Sequence, residues 1–173
     1  MVIRKRRGHA RPMSFEPSGV VTLTTDFGHK GPFVATMKGM IMKRFSSVRL
    51  LDLTHEIVPH WPAEAGFWLE RSYPYFPKGS VHAAVVDPGV GTSRDILVGV
   101  LDGHVFVAPD NGLLPFVEKH GGTVYKFNSA QAGRLELENI SATFHGRDVF
   151  APIAAALASG KYQPSELGPK VSD

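Results

Sequence analysis

The sequence predicts an α/β fold: a mostly parallel central sheet with helices on both faces, plus one β-hairpin. Strand-like runs rich in β-branched residues alternate with runs of helical period through the first half of the chain. Polar clusters follow the first three strand runs. Asp102-Gly103 separates two further apolar runs, which is a strong two-residue hairpin signal.

The elements follow in order. Val20 to Thr25 reads as a buried strand ending at the turn Asp26-Phe27-Gly28. Phe33, Val34, Met37, Met40, Ile41 and Phe45 lie on one face of a helix. Ser47 to Leu53 is a second strand, and Asp52 to Trp61 a polar and aromatic loop. Pro62 suits the first turn of a helix, and Ala63 to Leu69 continues it. Ser80 to Val86 is a third strand running into Asp87-Pro88-Gly89. Ile96 to Leu101 and His104 to Val107 form the hairpin. Asn111 to His120 reads as a short helix stopped by Gly121-Gly122, and Thr123 to Phe127 as another strand. Arg147 to Ser159 is a helix closed by Gly160, and Leu167-Gly168-Pro169 belongs to no clear element. The whole is a Rossmann-like three-layer sandwich.

The chain has 173 residues, 43 % of them hydrophobic and 20 % charged, which suits one domain with a real core. It has no cysteine, so disulfides, thiolate zinc sites and a cysteine nucleophile are excluded. A reducing cytoplasm is the natural compartment. The net charge of +3 comes from Arg4, Lys5, Arg6, Arg7 and Arg11. Residues 1–18 read as a basic, disordered arm, or as an upstream extension with Met13 as an alternative start. A basic arm can touch nucleic acid, but no recognition fold accompanies this one, and a nucleic-acid partner is not expected. No apolar stretch reaches the ~18 residues of a membrane helix, and no signal-peptide core follows the arm.

Ligands of open α/β sheets bind beyond the carboxyl ends of the strands. Thr25-Asp26-Phe27-Gly28, Asp52-Leu53-Thr54-His55-Glu56 and Asp87 to Arg94 all fall there. Asp26 is placed either to accept hydrogen bonds from sugar hydroxyls or simply to cap a turn. Gly89 and Gly91 let the Asp87 loop approach a ligand closely, although the loop is neither a Walker loop nor Gly-x-Gly-x-x-Gly. Asp87 and Arg94 can form a charge-assisted pair, catalytic or structural. His145 can move a proton near neutral pH or cap the last helix; Asp148 reads as a first-turn acid favouring the helix dipole. Asp26, His55, Asp87 and His145 lack a metal-binding spacing, and no metal is expected. His82 and His104 stand in no comparable context, and Met37, Met40 and Met42 read as core filling.

Taken together, Thr24-Thr25-Asp26-Phe27-Gly28, Leu51-Asp52-Leu53-Thr54-His55-Glu56-Ile57, Val86 to Arg94, Ala108-Pro109-Asp110-Asn111-Gly112-Leu113-Leu114 and Thr143-Phe144-His145-Gly146-Arg147-Asp148 resemble the S-adenosylmethionine hydroxide adenosyltransferase family, relatives of the fluorinases and chlorinases. The resemblance runs in family order from residue 20 to about 170. It implies hydrolysis of S-adenosyl-L-methionine to adenosine and L-methionine, by attack of water or hydroxide on the ribose 5′ carbon. It assigns Asp87, Arg94 and His145 to catalysis and Asp26 to the ribose hydroxyls. Trp61 then lies near the ribose, and Asn111 belongs to the substrate-binding set. Asp87 and His145 follow the hydrolase pattern rather than that of the halogenases. No cofactor is implied, since S-adenosylmethionine is the substrate. The family adds a C-terminal β-barrel domain and works as a homotrimer; residues 19–170 correspond to its N-terminal catalytic domain, and the barrel is expected to be absent. The alternative is a nucleoside or S-adenosylmethionine binding module without turnover.

Overall fold

A computed structural model describes residues 14–137 and 139–171. The basic cluster Arg4 to Arg11 and Met13 lie outside the described residues.

Six strands form one sheet: β1 (Val20–Thr25), β2 (Arg49–Thr54), β3 (Val81–Val85), β4 (Ile96–Leu101), β5 (His104–Pro109) and β6 (Thr123–Lys126). Their order is β2-β1-β3-β5-β4-β6. β1 runs parallel to β2 and β3, and β3 parallel to β5, while β4 is antiparallel to both its neighbours. The chain moves outward from β1 to β2, then returns to the other side of β1 as β3. That reversal opens a crevice at the carboxyl ends of β1 and β3, where this class of sheet binds ligands.

Both faces are covered. Helix α1 (Phe33–Arg44) buries Val34, Met37 and Ile41, the i, i+3, i+7 face seen in the sequence. Helix α4 (Ala151–Ala158) is buried on every side, and its alanines let it lie close to both α1 and β3. On the opposite face α2 (Pro62–Ser72) and α3 (Pro115–Lys119) pack Ala65, Leu69, Phe116 and Val117 against Phe106 and Ala84. The mostly parallel sheet with helices on both faces is therefore present. The hairpin is present too: Asp102 and Gly103 have φ of 52° and 84°, the double left-handed turn that matches strand twist.

Four expectations need correction. The helix expected from Asn111 is confined to Pro115–Lys119, because residues 110–114 form turns, with Gly112 at φ 85°. The last helix opens with a π-helical segment, Gly146–Phe150, before α4. The segment around Leu167-Gly168-Pro169 does not trail away: it lies along β6, where the amides of Asn128 and Lys126 donate to Leu167 and Pro169. Leu167 is fully buried, and a side chain at Gly168 would collide with the Lys126 carbonyl. Finally, residues 14–18 are not part of an arm. Phe15 is buried, and the Gln163 side chain clasps its amide at 2.8 Å and its carbonyl at 3.0 Å.

Candidate active site

Asp26 ends β1 and Asp87 follows β3, so the two carboxylates stand on either side of the crevice between these strands. His145 reaches the same place from the start of the π segment. Asp26, Asp87 and His145 line one cleft of about 270 Å³, with Phe27, Phe144, Pro59 and Val90 among its walls. Aromatic edges organise that wall: Phe27 and Phe144 meet edge-on with centroids 5.9 Å apart, and both contact Phe33. Phe27 and Phe144 are cleft residues that the sequence reasoning missed, although both lie inside the motifs it singled out. π segments recur at functional sites because they re-aim side chains, and this one begins next to His145.

The centre of the cleft is a chain of three side chains. The Asp87 carboxylate, 4 % exposed, takes hydrogen bonds from Nε and Nη2 of Arg94. Nη2 of Arg94 also lies 2.9 Å from Nδ1 of His145. The guanidinium packs 5.5 Å above the Phe150 ring, within cation–π range. A guanidinium has only donors, so Nδ1 of His145 must be an acceptor. Burial lowers the pKa of His145, and the Arg94 charge adds to that; Asp87, Asp148 and the Ser141 carbonyl oppose it more weakly. The ring is then neutral near pH 7, with its proton on Nε2.

The loop that carries Asp87 is pinned against its own chain. Val90 and Thr92 amides donate to the carbonyls of Asp87 and Gly89, and the Thr92 hydroxyl donates to Gly89 at 2.6 Å. Gly91 has φ 78°, and any Cβ there would strike the Ala142 carbonyl oxygen. The expectation that Gly89 and Gly91 bring backbone to a ligand is thus corrected at Gly91: the close partner is the segment just before His145. That segment is tied in turn by Asp148, which accepts from the Ser141 amide at 2.8 Å and pairs with Arg147. The Arg147 bonds hold the Asp148 carboxyl below the usual carboxylate range. Asp148 is therefore a local anchor as much as a helix-dipole acid.

The remaining candidates separate. Asp26 accepts a hydrogen bond from the His60 amide at 3.0 Å, and His60 itself sits at φ 64°. Trp61, at the start of α2, is 54 % exposed and lines no part of the 270 Å³ cleft. Asn111 donates from Nδ2 to the Val86 carbonyl at 2.8 Å, and its Oδ1 is buried without a protein partner. It braces the residue before Asp87. His55 is buried between Thr25 and Asp52 rather than in the cleft. Among the described residues no three His, Asp or Glu side chains converge as metal ligands.

Residues 21–168 match the family described as the SAM hydroxide adenosyltransferase N-terminal domain. An (R)-S-adenosyl-L-methionine hydrolase of Salinispora tropica is 38 % identical over 162 residues, covering 90 % of this chain and 59 % of that protein. One from Thermus thermophilus is 39 % identical over 160 residues, covering 87 % and 61 %. A fluorinase of Actinopolyspora mzabensis is 28 % identical over 180 residues, covering 89 % and 58 %. The crystal structure of an uncharacterized conserved protein from Thermotoga maritima superposes with a TM-score of 0.79 at 37 % identity, covering 89 % of this chain and 58 % of that one. The chain thus spans about three-fifths of the length of the curated relatives it matches.

Proposed function

The chain belongs to the SAM hydroxide adenosyltransferase family through its N-terminal domain, and from that membership we propose that it hydrolyses S-adenosyl-L-methionine to adenosine and L-methionine. The observation that carries the reading is the Asp87–Arg94–His145 chain, which opens on the cleft shared with Asp26 at the β1/β3 crevice.

In this reading Asp26 accepts the ribose hydroxyls and sets the 5′ carbon over Asp87. A water held by Asp87 attacks that carbon. The C5′–O bond forms as the C5′–S bond breaks, and the bonding pair returns to sulfur as a neutral thioether. The leaving group therefore needs no acid. The water gives up one proton, first to the Asp87 carboxylate and then to solvent, and the 5′ hydroxyl of adenosine keeps the other. Arg94 fixes the carboxylate in one orientation and its charge favours developing hydroxide. Nδ1 of His145 is engaged by Arg94, so the imidazole acts by holding the guanidinium and by donating from Nε2, rather than as the first base. Asn111 serves the site by bracing Val86, the residue before Asp87, and exposed Trp61 is proposed to meet the ribose from outside the 270 Å³ cleft.

A second reading, a nucleoside or S-adenosylmethionine binding module without turnover, is favoured by the size of the cleft. Its roughly 270 Å³ falls just below the ~300–1,000 Å³ usual for ligand sites. Incubation with S-adenosylmethionine and chromatographic measurement of adenosine separates the two. Adenosine release supports the hydrolase; binding without release supports the module, and neither event removes both. The resemblance also supports a homotrimer, which light scattering tests. The cysteine-free composition supports a cytoplasmic location. No described helix is long and apolar enough to cross a membrane.

A further inference from the structure

Behind Asp26 runs a second chain of polar side chains that the reaction above does not use. Lys38 Nζ contacts Asp52 Oδ2 at 2.6 Å, and Asp52 Oδ1 lies 2.9 Å from Nε2 of His55. Nδ1 of His55 meets Thr25 Oγ1 at 2.9 Å, and Thr25 Oγ1 accepts the Phe27 amide at 3.2 Å. Thr25 is fully buried and His55 nearly so. The Asp52 charge calls for the ring proton on Nε2. Nδ1 then accepts from the Thr25 hydroxyl, whose oxygen accepts from Phe27. The Phe27 and Thr25 donors point inward along the chain to His55, whose Nε2 stands 2.9 Å from the ammonium-paired carboxylate as a charge contact rather than an aligned hydrogen bond. The His55 carbonyl also takes the Gly28 amide at 2.8 Å.

Thr25 and Phe27 flank Asp26 directly. A chain that ties both neighbours to β2 leaves the Asp26 backbone little freedom and fixes where its carboxylate stands. Thr25 is buried too deeply to be a nucleophile, despite the Asp–His–hydroxyl pattern. We propose that Asp52, His55 and Thr25 are positioning residues for Asp26 in its recognition of the ribose diol. The inference rests on the reading of Asp26 given under the proposed function.

The test compares binding of adenosine with that of 2′,3′-dideoxyadenosine, which lacks the diol, by calorimetry on the full chain. Thr25→Val keeps volume and strand preference but removes the hydroxyl; Thr25→Ser restores it. Thr25→Val is expected to weaken adenosine roughly tenfold or more, the scale of one hydrogen bond to a charged group. Dideoxyadenosine affinity should stay at the wild-type value, and Thr25→Ser should recover most of the loss. Asp52→Asn, at a side chain that is 36 % exposed, tests the same chain without opening the core and should shift adenosine in the same direction. Should Thr25→Val fail to fold, Asp52→Asn decides alone. Unchanged adenosine affinity in the folded variants, or equal loss of both nucleosides, overturns the positioning role. If the wild type does not prefer adenosine, or Asp26→Ala keeps that preference, the reading of Asp26 itself falls and this inference falls with it.

Discussion

Nη2 of Arg94 lies 2.9 Å from Nδ1 of His145 while the same guanidinium clasps Asp87. One donor group thereby dictates the tautomer of the histidine and the orientation of the carboxylate. Protonation of His145 would set an N–H against an N–H and break the chain in the middle.

A pH profile follows. Burial and the Arg94 charge lower the His145 pKa below its ordinary value of 6.5, so the neutral ring persists to lower pH than a free histidine would. The acid limb of turnover is therefore expected to be centred below pH 6.5. His145→Gln offers Oε1 to Arg94 and has no ring to protonate, so it should keep part of the activity and lose that acid limb. An acid limb centred above 6.5 in the wild type, or one retained by His145→Gln, would remove His145 from this role.

Asp87 separates chemistry from binding. Asp87→Asn retains size but cannot take the water's proton, and it weakens the grip on Arg94. Its turnover is expected to fall by about 100-fold or more, the lower range for a lost acid–base group, with adenosine affinity within a few fold of wild type. Asp87→Ala and His145→Ala should likewise lose turnover more than binding. Unchanged adenosine release in these variants would sink the assignment of roles.

Gly91 and Gly89 make a contrasting pair. A side chain at Gly91 meets both the left-handed backbone and the Ala142 carbonyl, whereas one at Gly89 has its nearest neighbour, Thr92 Oγ1, at 3.4 Å. Gly91→Ala is expected to cost about 1–3 kcal/mol and to disturb turnover, because it pushes the Asp87 loop away from the His145 segment. Gly89→Ala should be close to neutral. Denaturant unfolding of the two variants measures the difference; equal effects would mean that the loop yields at Gly91.

Much of this site was legible in the chain. Polar clusters after β1 and β3 pointed to the carboxyl ends of these strands, and Asp26 and Asp87 do line one cleft there with His145, whereas His55, from the cluster after β2, is buried between Thr25 and Asp52. The hairpin was readable because Asp102-Gly103 carries its own turn chemistry. What was hidden depends on strand order or on distant backbone. Gly91 reads as a flexible turn until Ala142 is known to lie against it. His82 and His104 read as unrelated until β3 and β5 are paired. The Asn111 helix start failed because the turns at 110–114 delay it, and Phe15 looked like tail because its partner Gln163 is 148 residues away.

That His82–His104 pair yields the last prediction. The two rings lie in the core between β1, β3 and β5. Nδ1 of His82 meets Thr22 Oγ1 at 2.7 Å, and its Nε2 meets Nδ1 of His104 at 3.2 Å. Burial pushes the His82 pKa down to about 3, the neighbouring His104 adding to the effect, and burial lowers His104 as well. His82 stays neutral in the fold down to about pH 3 and protonates near 6.5 in the unfolded chain, and His104 is shifted in the same direction. Between those values the unfolded state binds more protons, so stability falls as pH drops through that window. His82 contributes up to about 1.4 kcal/mol per pH unit once the unfolded form is charged. Denaturant midpoints at pH 7.5, 6 and 5 should therefore decline, above the range where carboxylates titrate. His82→Gln can still hydrogen-bond Thr22 but cannot ionise, so its decline should be shallower than that of the wild type. Parallel declines would place the acid sensitivity elsewhere.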